Sequence, residues 1–180
     1  MERIRILAVS GSLRSASSNT VLLNAATRLA PEGVVVTPFG GLGDLPHFNP
    51  DLDLPEAPPA VAALRAAVQT ADAVMISSPE YAHGVPGVLK NGLDWLVSGV
   101  EILDKPTGLV NASPRSTHAQ ASLAEILRTM AAELIPDAVV MVPLSGRRLD
   151  LAGVLADPGL TTPLRAALDA LAGAVRLRRT

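Results

Sequence analysis

Ser10-Gly11-Ser12-Leu13-Arg14-Ser15-Ala16-Ser17-Ser18-Asn19 follows the apolar run Ile4, Ile6, Leu7, Ala8 and Val9, and leads into a stretch with helical spacing. A short buried strand that empties into a Gly/Ser-rich turn and then a helix start brings free backbone N–H groups and the positive end of the helix dipole to one point. Such a turn suits a phosphate. It supplies five serine hydroxyls, an amide at Asn19 and one fixed cation, Arg14, whose guanidinium fork matches a phosphate dianion. Without a ligand, the same serines and Asn19 as an N-cap would serve helix entry alone. The turn lacks G-x-G-x-x-G and the G-K-[ST] ending of a P-loop, so neither a dinucleotide fingerprint nor a triphosphate loop is present. A thiolate phosphatase would need Cys six residues before Arg14, where Ala8 stands.

Outward from this turn, strand and helix signals alternate. Strands are predicted over 3–9, 34–36, 73–78, 106–112 and 137–142, and helices over 19–30, 59–70, 86–99, 117–134 and 162–175. Pro59 and Pro86 read as first helical residues. Residues 40–59, dense in Gly, Pro and Asp, read as a long surface loop without regular structure. Five strands that are apolar throughout and do not alternate imply a doubly wound parallel sheet with helices on both faces, in one domain over 1–180. In such a sheet, ligands sit outside the carboxyl ends of the strands, which nominates the turns at 10–19, 79–85 and 113–117.

Composition narrows the partners. Fifteen Lys+Arg against 17 Asp+Glu give a net charge of -2, with no basic excess to support nucleic-acid binding. No apolar segment approaches the roughly 20 residues of a membrane span, and MERIRILAV has no signal-peptide core, so a cytoplasmic location is the default expectation. The absence of cysteine excludes disulfides, thiolate metal sites and Cys nucleophiles.

The second turn and its helix read Pro79-Glu80-Tyr81-Ala82-His83-Gly84-Val85-Pro86-Gly87-Val88-Leu89-Lys90-Asn91-Gly92-Leu93-Asp94-Trp95. Together with Gly11 to Asn19, this resembles the NAD(P)H-dependent FMN reductase family of flavodoxin-like proteins, which carry G-S-x-R-x-x-S-x-N and P-E-Y-x-x-x-x-P-G-x-L-K-N-x-x-D-W. The resemblance extends through Leu45 to Asp51 and the order of elements. It implies that Ser10, Ser12, Arg14, Ser17, Ser18 and Asn19 cradle the FMN phosphate. It further implies that Pro79, Glu80, Tyr81, Ala82, His83 and Gly84 run along the isoalloxazine ring through backbone groups, with Tyr81 alongside. Ser113 in the third turn joins this set, although Ser113 to His118 departs from the more glycine-rich family loop. Ala82 stands where relatives often have Asn, so only backbone contact is expected there.

The implied activity is hydride transfer from NADPH or NADH to FMN, then two-electron reduction of a small acceptor such as a quinone, flavin, azo compound or metal oxyanion. No side chain is expected to act as acid or base, and no metal is implied. A homodimer or homotetramer is implied by the family. The competing reading is a flavodoxin-type one-electron carrier without NAD(P)H activity; its usual strong acidity and aromatic walls are missing from a chain of charge -2 with 1 Trp, 1 Tyr and 2 Phe. Other residues have plainer readings. Lys90 and Asp94 form a helix-surface pair, Trp95 and Leu96 lie in the core or at a subunit contact, and His47, His83 and His118 are loop histidines without an assigned role. Arg176, Arg178 and Arg179 form a solvated tail, with Arg115 a candidate for a nicotinamide 2′-phosphate.

Overall fold

The computed structural model describes residues 3–53, 56–144 and 146–179. Five parallel strands, β1 (Ile4–Ser10), β2 (Val34–Phe39), β3 (Ala73–Ser77), β4 (Pro106–Asn111) and β5 (Glu133–Met141), lie in the order β2-β1-β3-β4-β5. The helices are α1 (Ser18–Leu29), α2 (Pro59–Thr70), α3 (Gly87–Asp94), α4 (Thr117–Thr129), α5 (Leu151–Leu155) and α6 (Pro158–Arg178). This is the doubly wound, flavodoxin-like architecture that the strand–helix alternation implies.

The pleat of the central strands divides the core in two. Ile4, Ile6 and Ala8 of β1, with Ala73 and Met75 of β3, pack against α1, α5 and α6. Leu7 and Val9, with Val74 and Ile76, pack against α2, α3 and α4. The central strands β3 and β4 are buried along their whole length and mostly apolar, with the polar residues Ser77, Thr107 and Asn111 buried among them, whereas the edge strands β2 and β5 are partly exposed. Pro38 and Pro136 sit in these edge strands, where a missing ladder donor is tolerated.

The departures from the sequence reading have physical causes. Helix α4 stops at Thr129, not near 134, and β5 starts at Glu133, not 137. Ala131 takes a left-handed φ of 57°, with its N–H on Arg128 O and the Ala132 N–H on Leu127 O. This is a Schellman stop with alanine in the glycine position, so the usual sequence signal is missing. Pro86 is the N-cap of α3 and not its first residue, and α3 ends at Asp94 rather than near 99. There Arg65 Nε and Nη2 bind the Trp95 carbonyl at 3.1 and 2.8 Å. Helix α6 begins at Pro158, capped by Asp157, and α5 precedes it. Pro163 lies inside α6.

The segment 40–59, apart from residues 54 and 55 outside the described set, is no plain surface loop. It contains 3-10 turns at Gly41–Asp44 and Pro50–Leu52, and it buries Leu42 and Leu45 in the α2–α3 core. The second motif holds it. Asn91 accepts from Phe48 N at 2.8 Å and donates to Pro46 O at 2.9 Å, and Trp95 Nε1 also donates to Pro46 O at 2.9 Å. Trp95 is 0% exposed, with Phe48 edge-on at 5.1 Å. It is thus a core residue. Farther along, Asp53 takes bonds from Ser98 Oγ and Arg65, which hold its carboxyl below the usual range.

The C-terminal arginines are also placed. Arg178 pairs with Glu133 and Arg179 with Asp72, so these two tie α6 to the amino-end rim of the sheet and are not a solvated tail. Lys90 and Asp94 pair at 2.6 Å, as their spacing suggests. No helix among the described residues is long and apolar enough to cross a membrane.

Asn91→Ala strips Phe48 N of its acceptor and removes one of the two donors to Pro46 O. The expected loss is about 1–3 kcal/mol of unfolding free energy, read from urea denaturation.

Candidate functional site

From β1 the chain leaves to β2 on one side, then returns across β1 to β3 on the other. The loops that leave the carboxyl ends of β1 and β3 therefore diverge, and a cleft opens between them at the switch point. The cleft has a volume of about 340 Å³ and draws on the loops after β1, β3 and β4. That size lies within the usual range of small-molecule sites.

The loop after β1 contributes Ser12, Arg14, Ala16, Ser17, Ser18 and Asn19. Its entry is set by Gly11, whose N–H donates to Ser77 O at 2.8 Å. A Cβ on Gly11 would lie 2.6 Å from Ser78 Oγ and 3.0 Å from both Ser78 Cβ and Leu89 Cδ2, so a larger residue here would have to displace those side chains. Ser17, not Asn19, caps α1: its hydroxyl accepts from Thr20 N. Asn19 is 6% exposed, and its side-chain amide lies 2.9 Å from Ser77 Oγ. Ser10 Oγ bonds Thr20 Oγ1 at 2.9 Å and accepts from Ser12 N at 3.3 Å. The first turn of α1 carries no acidic residue. Arg14 also lines the cleft, and its guanidinium is engaged by no acceptor among the described residues. The donor set there, hydroxyls, helix-end amides and a guanidinium, fits a phosphate dianion.

The loop after β3 begins at Ser78, whose hydroxyl donates to Pro79 O at 3.0 Å. Tyr81 to Gly84 then make a tight two-residue turn, closed by Tyr81 N on Gly84 O at 3.1 Å and Gly84 N on Tyr81 O at 2.9 Å. Its two central residues, Ala82 and His83, have φ of 49° and 60°. A left-handed residue with a Cβ costs about 1–2 kcal/mol, so this turn holds a conformation that alanine and histidine do not favour. Tyr81 is 56% exposed at the cleft. The Glu80 carboxylate accepts from Ala119 N at 2.8 Å in the first turn of α4.

The loop after β4 is built on Asn111, which accepts from Ser113 N at 2.9 Å and donates to Ser116 O at 3.0 Å. This clamp presents Ala112, Ser113, Arg115 and Ser116 to the cleft. Arg14 and Arg115 against the single carboxylate of Glu80 give the charged residues that line the cleft a net positive charge. No group of three or more metal-ligating side chains occurs among the described residues.

A model of the family described as NADPH-dependent FMN reductase matches residues 4–146, the span that holds all three loops. The chain belongs to that family. It is 32% identical over 173 residues to an NAD(P)H-dependent FMN reductase of Pseudomonas aeruginosa, covering 93% of each protein. It is 36% identical over 96 residues to a quinone reductase of Escherichia coli K12, where the match covers 53% of this chain and 51% of that one; it thus spans about half the length of that and several other relatives. Among solved structures, FerB of Paracoccus denitrificans, a flavoenzyme NAD(P)H:(acceptor) oxidoreductase, superposes with a TM-score of 0.82 at 27% identity over 97% of this chain and 98% of that one. The family membership agrees with the resemblance carried by the two motifs, and FMN and a nicotinamide are the family's cofactors.

Of the residues named from the sequence, Ser12, Arg14, Ser17, Ser18, Asn19, Pro79, Glu80, Tyr81 and Ser113 line the cleft of this FMN reductase family member. Ser10, Ala82, His83 and Gly84 do not. Ala16, Ser78, Ala112 and Ser116 also line it without having been singled out. Ala16 and Ala112 carry no chemical signal, and Ser78 was counted as a strand end. Gly11→Ala should destabilise the fold by about 1–3 kcal/mol through overpacking against Ser78 and Leu89. Chemical denaturation of the variant beside the parent measures it.

Proposed function

We propose that the chain is an FMN-dependent oxidoreductase that draws a hydride from NAD(P)H and delivers two electrons to a small acceptor of the quinone or flavin class. The carrying observation is the pairing, in one cleft, of a donor-only pocket at the start of α1 with the tight turn of the second motif. In this reading the hydroxyls of Ser12, Ser17 and Ser18, the first amides of α1 and the Arg14 guanidinium bind the FMN phosphate. Asn19 supports them through its backbone, because its side chain is held by Ser77. The Pro79 to Gly84 turn orients the ring through backbone groups, and Glu80 fixes that turn to α4. Ser113 and Arg115 close the third side, where Arg115 is placed to meet a second anionic group.

When bound, FMN supplies the redox chemistry, accepting hydride from the reduced nicotinamide and passing electrons to the acceptor. The protein's share is binding, orientation and electrostatics. The carboxylate of Glu80 is committed to a helix N–H, and no other acid lines the cleft, so no side chain is assigned proton transfer.

Purified protein saturated with FMN should be yellow, and anaerobic NADPH or NADH should bleach the visible flavin band within the dead time of manual mixing. A holoprotein that stays oxidised would leave a one-electron carrier as the better reading, and failure to retain FMN would remove both. Arg14→Ala should weaken FMN binding by about 1–3 kcal/mol in a fluorescence titration, through loss of a charge-assisted bond, while turnover per bound flavin stays near the parent value.

A further inference from the structure

His83 and His118 stack face to face, with ring centroids 4.3 Å apart and planes 15° from parallel. Neither lines the cleft, and His118 lies outside both sequence motifs. Their placement bears on the strained turn. The two backbone bonds between Tyr81 and Gly84 fix the turn's shape but not its direction relative to the cleft. Its direction depends on contacts to other elements, and among the described residues one hydrogen bond and one ring pair tie it to consecutive residues of α4. Glu80 holds Ala119 N, and His83 lies on His118. One anchor precedes Tyr81 and the other follows it. A segment held at one end can pivot; one held at both ends cannot, and residues with left-handed φ persist where their surroundings over-determine them.

We propose that His118 is a positioning residue for the cofactor-facing turn: acting through His83, it fixes the orientation of Tyr81 to Gly84 against α4 and so the backbone groups offered to the flavin ring. This rests on the FMN reading above. The imidazole's use here is its flat face, since two stacked rings restrict both sliding and rotation of the loop residue without burying it.

The test uses FMN-loaded protein with His118→Ala, His118→Phe, His83→Ala and the double alanine variant. The readouts are the visible absorption and circular dichroism of the bound flavin and its Kd, with kcat and KM for NADPH alongside. His118→Ala should change the shape of the flavin band and weaken FMN about two- to tenfold, the worth of an aromatic pair. His83→Ala should match it, the double variant should be no worse than either single one, and His118→Phe should restore the parent spectrum and affinity. A His118→Ala protein with the parent spectrum and Kd overturns the inference, as do additive losses in the double variant or a Phe variant that behaves like Ala. These results leave the FMN reading standing, whereas a parent protein that binds no FMN overturns both.

Discussion

The hydroxyl of Ser77 is the point on which the site depends. It is 0% exposed at the end of β3, 2.8 Å from Val110 O of β4 and 2.9 Å from the side-chain amide of Asn19 in α1. A hydroxyl has one proton, which Ser77 shares between two acceptors, Val110 O and Asn19 Oδ1. The residue's own carbonyl takes the Gly11 N–H. One buried serine thus joins β1, β3, β4 and α1 where the cleft opens. An apolar side chain in its place would leave a carbonyl and an amide unpaired in the interior. The floor of the site is therefore a polar knot within an apolar sheet, and the register of the three central strands is tied to the position of the helix whose amino end faces the cleft.

The two motifs divide their work unevenly between ligand and fold. In the first, Arg14, Ser12 and Ser18 point to the cleft, while Ser17 caps α1 and Asn19 completes the Ser77 knot. In the second, Glu80, Asn91 and Trp95 are all structural: one caps α4, and two staple the 45–48 segment through a shared carbonyl. A polar residue in a site motif is thus often the part that holds the loop still. Glu80 shows this most plainly, because its carboxylate would invite an acid–base role if its partner on α4 were not known.

The sheet, its order and the three loops were legible because their signals are local: apolar central strands, Gly/Ser and Pro/Gly turns, and helical spacing. The errors fall where a local signal was absent or misleading. Ala131 ends α4 with a glycine conformation but no glycine. Arg65 pulls the Trp95 carbonyl out of α3 from thirty residues away. Leu42 and Leu45 were hidden in a segment whose Pro and Gly content reads as surface, although the helices α2 and α3 bury them. At the site, residues with distinctive side chains were found and those serving through backbone, Ala16 and Ala112, were not. The stacking of His83 on His118 joins positions thirty-five residues apart, and no spacing rule connects them.

The electrostatics of the cleft follow from which charges are already used. Glu80 is bonded, Lys90 is paired with Asp94, and Arg14 and Arg115 remain directed at the opening. Two unit charges 4 Å apart near a protein surface interact by about 4 kcal/mol, so two guanidinium groups against the single carboxylate of Glu80 leave a net field that favours an anionic ligand. That field attracts and holds; it does not transfer protons. In the function proposed above, the bound ring carries the redox chemistry, and the protein's control over rate would lie in how closely and rigidly the residues that line the cleft meet that ring. A turn held in a costly conformation by contacts at both ends gives such control, because a relaxed turn would trade the strain for motion exactly where the donor and acceptor must line up.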